Sequence, residues 1–474
     1  MSPLDRIRTT PRAVGLIVGV AAAGWAFRIW TVLVYRPTCD IPSPYCYTLA
    51  GDAKYGHLQA NVLAETGRYL NPLEYYDSIE RGVTTVRLES AGDPPLYAGY
   101  LAGWSKLGFD GVTDHRLAAT FWGFVLVLAI GLFTRRLAGN VAGVTAAVIA
   151  ALHPLMWVND IMLLSEGMYQ PFVVLVFWAG YEWIREPNRR NIALVGVAIA
   201  LAALVRAEAT SLYAFLVLPL IWWAATLDTR EKVRQTVLCG IAGLIVLSPW
   251  LIYNNIRFEE RPVTLTSASG TVLMAGACDE AWSGPSLGFW ANCFGARGLE
   301  VQLEEELPGS WRTADDPGRV IYDETVRDRF NREQALEYYV DNWYRYPKVA
   351  LARIGRSLEV FRVGHSLQMN YRVEGRWEEP STVGLGVYYA LVPFTIVGAL
   401  LLRRRGQRLT PLLAMWPMVM FASAATFGLT RYRVPIDVAM IVLASVALSW
   451  VFHRLRAEGV FAALRRRPRT TVTS

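Results

Sequence analysis

Asp52 follows a glycine in the run Gly51-Asp52-Ala53-Lys54-Tyr55, and Asp93 precedes the paired prolines of Asp93-Pro94-Pro95-Leu96-Tyr97. Glu166 stands in Leu163-Leu164-Ser165-Glu166-Gly167, and Arg206 and Glu208 stand in Leu204-Val205-Arg206-Ala207-Glu208. Arg431 and Arg433 flank a tyrosine in Thr430-Arg431-Tyr432-Arg433-Val434-Pro435. A positioned carboxylate can take a proton from a hydroxyl. An arginine binds phosphate through two parallel hydrogen bonds, so it can hold a phosphate leaving group. Structural accounts compete for each residue. Asp52 reads equally as a helix N-cap and Asp93 as a turn or helix start, both favoured by Asp. Arg206 could simply pair with Glu208 or Glu166, and Arg431 and Arg433 could snorkel to lipid headgroups.

The elements that carry these residues are membrane helices. The chain has 474 residues, 53% hydrophobic and 18% charged, with 17 Trp. Soluble domains carry roughly 25% charged residues, and here the deficit comes with long apolar runs. Spans of about 20 apolar residues fall at 13–34, 116–134, 139–158, 162–184, 191–206, 211–226, 235–253, 386–403, 410–428 and 433–452. The first is too long for a signal-peptide core and lacks a small-residue cleavage motif, so it reads as a retained helix. The sequence therefore predicts an all-α polytopic membrane protein of about ten transmembrane helices with a mixed extracytoplasmic loop domain.

Charge orients it. The net charge of +7 is gathered in short clusters between spans: Arg135-Arg136, Arg185 with Arg189-Arg190, Arg230 with Lys232 and Arg234, Arg403-Arg404-Arg405 and Arg465-Arg466-Arg467. That is the positive-inside pattern of cytoplasmic loops, and it argues against a nucleic-acid partner. It predicts a multi-pass protein of the plasma (inner) membrane with both termini cytoplasmic. Residues 1–253 form a transmembrane module with a first extracytoplasmic loop at 35–115. Residues 254–385 form a loop domain, and 386–474 form the last helices and a basic cytoplasmic tail. Arg431 and Arg433 then lie outside, against the rule, and an external anion such as a phosphate would explain them. Stretches 56–66 and 96–107 read as helices along the membrane surface, and Asn331 to Phe361 as one long helix. Cys39/Cys46 and Cys278/Cys293 fall outside, where local disulfides suit an oxidising compartment. Cys239 reads as a small buried hydrophobe.

No Walker motif, no GxGxxG and no GxSxG elbow appears, so nucleotide hydrolysis has no support. The ordered pieces Gly51-Asp52 with Tyr55, Pro94-Pro95-Leu96-Tyr97, Leu164-Ser165-Glu166, Leu204 to Glu208, Pro249-Trp250 and Arg431 to Pro435 resemble the GT-C glycosyltransferases. The likeness is to the protein O-mannosyltransferase and lipid A aminoarabinose transferase group. The resemblance implies a sugar donor on a polyprenyl phosphate and an acceptor hydroxyl on an extracytoplasmic protein, lipid or glycan. It implies Asp52 as catalytic base, with Glu166 assisting or orienting the acceptor, and inversion at the anomeric carbon. Arg431 and Arg433, with Arg206 and Lys54, would hold the donor phosphate, and Tyr55, Tyr97 and Glu208 would complete the site. Asp93 departs from the family, where relatives often carry His, Lys or Glu. Tyr253-Asn254 stands where relatives often read Arg-Asn, so a basic contact is missing or comes from Arg257. No cofactor is certain, and a divalent cation is left open. A transporter or lipid flippase, or a non-catalytic envelope-assembly protein, is the alternative. Transporters tend to show inverted repeats and charged midplane helices, and neither appears.

Overall fold

The computed structural model describes residues 11–39, 46–80, 88–258, 262–297, 299 and 324–457. The acidic run at 304–306 and the basic tail lie outside them. The described chain is almost wholly helical. Its only extended pairings are two isolated bridges, Thr38 with Tyr47 and Leu70 with Glu89, so no strand supports a mixed character for the loop domain among these residues.

All ten expected spans are helical, but they are not equal. Among the described residues, five helices are long and apolar enough to cross a bilayer: Pro11–Tyr35, Val112–Ala138, Thr229–Arg257, Glu378–Arg404 and Thr430–Ala457. A sixth arises if Asn140–Leu152 and Pro154–Ile161, bent by 52°, count as one. The bend falls at Pro154, which can neither donate to the preceding turn nor tolerate a helical residue before it. Arg189–Ala203 has 15 residues, about 22 Å of helix, short of a ~30 Å hydrocarbon core. Ser165–Arg185 is long enough but opens on Glu166 and Gln170, both buried. Polar residues have been drawn into the bundle there, which lowers the apolarity of the segment. The chain is a membrane protein whose described residues hold five to six clear spans, with several shorter helices packed among them.

Thr430–Ala457 is the hub. Its apolar window is 83% buried, against 22% for Thr229–Arg257, so the first is sheathed by protein and the second faces lipid. Glu378–Arg404 lies along the hub, and Gly398 lets the two backbones touch, because a Cβ there would collide with the Leu443 carbonyl. Arg28 and Asp160 form a fully buried ion pair of 2.7 Å, fixing the short helix Pro154–Ile161 that leads to Glu166. Ionisable groups at such depth are costly and persist when paired.

The polar end of the bundle is built from both long loops. Arg116 donates to the carbonyls of Ile161 and Arg36 at 2.8 and 3.0 Å and lies 4.3 Å from the Tyr47 ring centre. That cross-braces the start of the first loop. Cys39–Cys46 and Cys278–Cys293 are both disulfides, and Cys239 is free and buried. The second loop has its own apolar core, including Met274, Trp282, Leu287, Phe330 and Val349. The expected helix from Asn331 to Phe361 is broken in two, Glu324–Asp341 and Tyr346–Ser357, with a single 3-10 turn at Trp343–Arg345 between them. Pro347 occupies the start of the second piece, where a proline costs nothing.

Candidate active site

Gly51 opens helix Gly51–Thr66 with a φ of +53°, a left-handed value that glycine adopts freely. The N-cap is Ala50, so Asp52 is the second helical residue and caps nothing with its side chain. Its carboxylate is instead spent outward: Oδ2 lies 2.5 Å from Nη2 of Arg431, and the side chain is 64% exposed. Arg431 holds the Asp52 pKa below the usual carboxylate range, outweighing enclosure by the surrounding protein. Tyr55, three residues on, shares that helix face, and its hydroxyl is 2.8 Å from Ser90 Oγ. Lys54 does not join the site. Residues two apart on a helix point to opposite sides, and Lys54 is exposed with no ion pair to a described residue.

Asp93 is carried on a loop held with unusual firmness. One peptide unit, Ser90–Ala91, is gripped by an ion of each sign: Arg257 donates to the Ser90 carbonyl at 2.6 Å, and Glu324 accepts from the Ala91 N–H at 3.0 Å. Ser267 N–H donates to the Ala91 carbonyl at 2.8 Å. Arg257 is itself stacked on Trp250 and Tyr253. The structure therefore uses Arg257 to anchor this loop and does not bring it to Arg431. The helix that follows, Pro95–Lys106, is tied by Leu96 N–H to the Leu204 carbonyl at 2.9 Å, two residues from Arg206. Asp93 forms no ion pair with a described residue, and its pKa is raised to about 6 by enclosure and then by the charge of Asp52. It remains open to solvent on one side, as a group lining a cleft would be. Charge-assisted hydrogen bonds contribute about 1.5–3 kcal/mol. Glu324→Ala should accordingly speed amide hydrogen exchange across 90–94 by one to two orders of magnitude, with the helices of the bundle unaffected.

Glu166 forms the floor of the cleft. Oε1 is 2.7 Å from Nη1 of Arg206 and 3.6 Å from Nε of Arg431, and the side chain is 1% exposed. Arg206 also meets Glu208 at 2.5 Å and Ser165 Oγ at 3.3 Å. Arg431 thus spans two carboxylates, one buried and one exposed. Tyr97 is buried, close enough to Glu166 to feel its charge, and its hydroxyl has no hydrogen-bond partner among the described residues. Arg376, missed in the sequence, is buried beside the same group: its Nη2 donates to Asn159 at 3.0 Å and its charge acts on Glu166.

Arg433 corrects the sequence reading. It is fully buried, with Nη1 2.9 Å from Glu359 and Nε 2.9 Å from Asp437, and its guanidinium lies 3.6 Å from the Tyr388 ring centre. In the 3-10 turn Thr430–Arg433, with three residues per turn, side chains two apart point about 240° from each other. One arginine therefore faces the cleft and the other the protein interior. The pairing of Arg433 with Asp437 at i,i+4 was a legible signal; Glu359 was not.

Residues 92–253 match the family model of the dolichyl-phosphate-mannose-protein mannosyltransferases. That stretch contains Asp93, Tyr97, Glu166, Arg206 and Glu208, whereas Asp52 and Arg431 lie outside it. No curated protein matches. Among solved structures, the Archaeoglobus fulgidus oligosaccharyltransferase in complex with Zn and sulfate is similar at 15% identity and a TM-score of 0.47, covering 94% of this chain and 50% of that one. The same archaeal enzyme with an inhibitory peptide and a dolichol-phosphate is 11% identical with a TM-score of 0.45, covering 96% and 52%. ArnT from Cupriavidus metallidurans bound to undecaprenyl phosphate is 16% identical with a TM-score of 0.39, covering 93% and 78%. The chain spans about half the length of the oligosaccharyltransferase. The sequence resemblance to the protein O-mannosyltransferases thus covers residues 92–253.

A metal ion held by protein side chains alone takes three or more carboxylate, histidine or thiolate ligands in reach of one another. No such group is found among the described residues. Asp52 and Glu166 are engaged by Arg431 and Arg206, so the described residues form no all-protein metal site, and no step is routed through one.

Proposed function

We propose that this chain is a membrane glycosyltransferase that moves a sugar from a polyprenyl-phosphate carrier to an acceptor hydroxyl on the extracytoplasmic side, inverting the anomeric carbon. The observation that carries the reading is Arg431, bridging an exposed carboxylate, Asp52, and a buried one, Glu166. The family match supports the donor class, and the lipid-facing helices suit a carrier that arrives through the bilayer.

Three arginines, Arg206, Arg376 and Arg431, face four carboxylates, Asp52, Asp93, Glu166 and Glu208. An entering phosphate must therefore displace one carboxylate, and the exposed Asp52 is the one free to move. As Arg431 turns to the phosphate, the influence that holds the Asp52 pKa down is withdrawn. The ionised Asp93 beside it then raises its proton affinity. Asp52 becomes a base when the donor is in place. The acceptor O–H gives its proton to Asp52 while its oxygen attacks C1 from the face opposite the phosphate. The C1–O bond breaks, and its electron pair leaves with the polyprenyl phosphate, held by Arg431 and Arg206. Glu166 stays ionised throughout and keeps both arginines aimed.

Two tests follow from these roles. Removing one pre-aimed donor to a developing negative charge typically lowers kcat ~10²–10³-fold. Arg431→Ala should fall in that range when release of undecaprenyl phosphate from its sugar conjugate is followed in lipid nanodiscs. A rate within threefold of wild type would refute the assignment. For pH, Asp93 must be ionised to raise Asp52, and its pKa is about 6. Activity should decline as pH falls through about 6, and Asp93→Asn should lose that limb while keeping measurable turnover at neutral pH. An unchanged limb in the variant would assign it elsewhere.

A further inference from the structure

We propose that Glu359, in the second loop, is a positioning residue for Arg431 and so sets the phosphate subsite; this rests on the donor-phosphate reading above. Its two carboxylate oxygens are divided between the two ends of the turn that carries Arg431. Oε1 accepts from Thr430 Oγ1 at 2.9 Å, and Oε2 accepts from Arg433 Nη1 at 2.9 Å. Both contacts are buried, and Thr430, Arg431, Tyr432 and Arg433 make up a single 3-10 turn. With its flanks fixed to one carboxylate, the turn has one orientation left, and Arg431 is the residue it presents to Asp52 and Glu166.

The backbone at Glu359 says that the side chain is what matters. Its φ is +51°, a left-handed value rare outside glycine and costly for a residue with a long side chain. The conformation is held by neighbours: Glu359 N–H donates to the Arg356 carbonyl at 3.0 Å, Tyr389 donates its hydroxyl to the Glu359 carbonyl, and Tyr388 donates to the Leu358 carbonyl at 3.2 Å. Asn370 adds a bond to Thr430 Oγ1 at 3.2 Å. The loop is folded into a strained turn whose result is to deliver one carboxylate under the turn that carries Arg431. The same geometry explains why Arg433 sits next to a phosphate-facing arginine without facing the phosphate itself.

The experiment uses full-length protein in nanodiscs, with undecaprenyl phosphate as the probe and its dissociation constant as the readout. Wild type and Arg431→Ala establish the subsite. Glu359→Gly relieves the left-handed strain and removes the carboxylate, and Glu359→Gln keeps the shape with the charge removed. We expect Glu359→Gly to bind 10–100-fold more weakly, Glu359→Gln 3–10-fold more weakly, and neither to lose more when Arg431→Ala is added. Losses that multiply with Arg431→Ala would overturn the proposal, because a merely structural residue acts independently of Arg431. So would wild-type binding by Glu359→Gly. Hydrogen exchange across 429–433 tests the positioning step without any ligand: it should accelerate in both Glu359 variants, and unchanged exchange also overturns the proposal. If Arg431→Ala binds like wild type while that exchange does accelerate, the phosphate reading has failed and the positioning of Arg431 has not.

Discussion

Asp52→Asn should lower the transfer rate by ~10²–10⁴-fold, the usual contribution of a positioned general base, and barely change stability. The two halves of that expectation come from one geometry. Asp52 reaches Arg431 from the open side of the cleft and is 64% exposed, and exposed ion pairs contribute only about 0–1 kcal/mol. Arg431 keeps Glu166 as a partner when Asp52 is neutralised, so no buried charge is orphaned. The thermal midpoint should therefore stay within a few degrees of wild type while turnover collapses. A variant that unfolds would mean that Asp52 is chiefly structural. A folded variant with normal turnover would remove it from the chemistry.

Arg433→Met should do the reverse. Its guanidinium neutralises Glu359 and Asp437 inside the protein, and taking away one member of a buried ionic group leaves uncompensated charge, at a cost of about 3–5 kcal/mol. The thermal midpoint in detergent or nanodiscs should drop well below that of Arg431→Ala, which leaves no fully buried partner without a cation because Arg206 still serves Glu166. If instead Arg433→Met melts like wild type and loses donor affinity, Arg433 belongs in the phosphate subsite after all.

Particular residues show what could be read from sequence. The ten apolar segments are all helical because apolar length alone specifies a membrane helix. The shortness of 191–206 and 211–226 was legible in their lengths, but the polar load of the others was hidden, because burial of Glu166, Gln170 and Asp160 depends on which helices pack together. The cleft was legible as a set, since costly ionisable residues at helix ends announce themselves. Its internal assignments were less so. Lys54 fails on helix phase and Arg433 on 3-10 phase, and both periods could have been applied once the local helix type was known. The N-cap account that competed for Asp52 rested on the preference of Asp for that position; the left-handed Gly51 places the cap two residues earlier, at Ala50. Arg28, Arg376, Glu324 and Glu359 went unnoticed for a common reason. Each finds its partners more than 50 residues away, and no local pattern encodes such a pair. Pro347 within 331–361 did carry the signal for a broken helix.

Transfer from a lipid-linked donor is read most directly as release of free polyprenyl phosphate. Purified protein in nanodiscs would be incubated with a panel of undecaprenyl-phosphate sugars and an envelope extract as acceptor, with Asp52→Asn in parallel. Release is expected from at least one donor, dependent on the extract and lost in the variant. No release from any donor, or equal release by the variant, would contradict the proposed transfer.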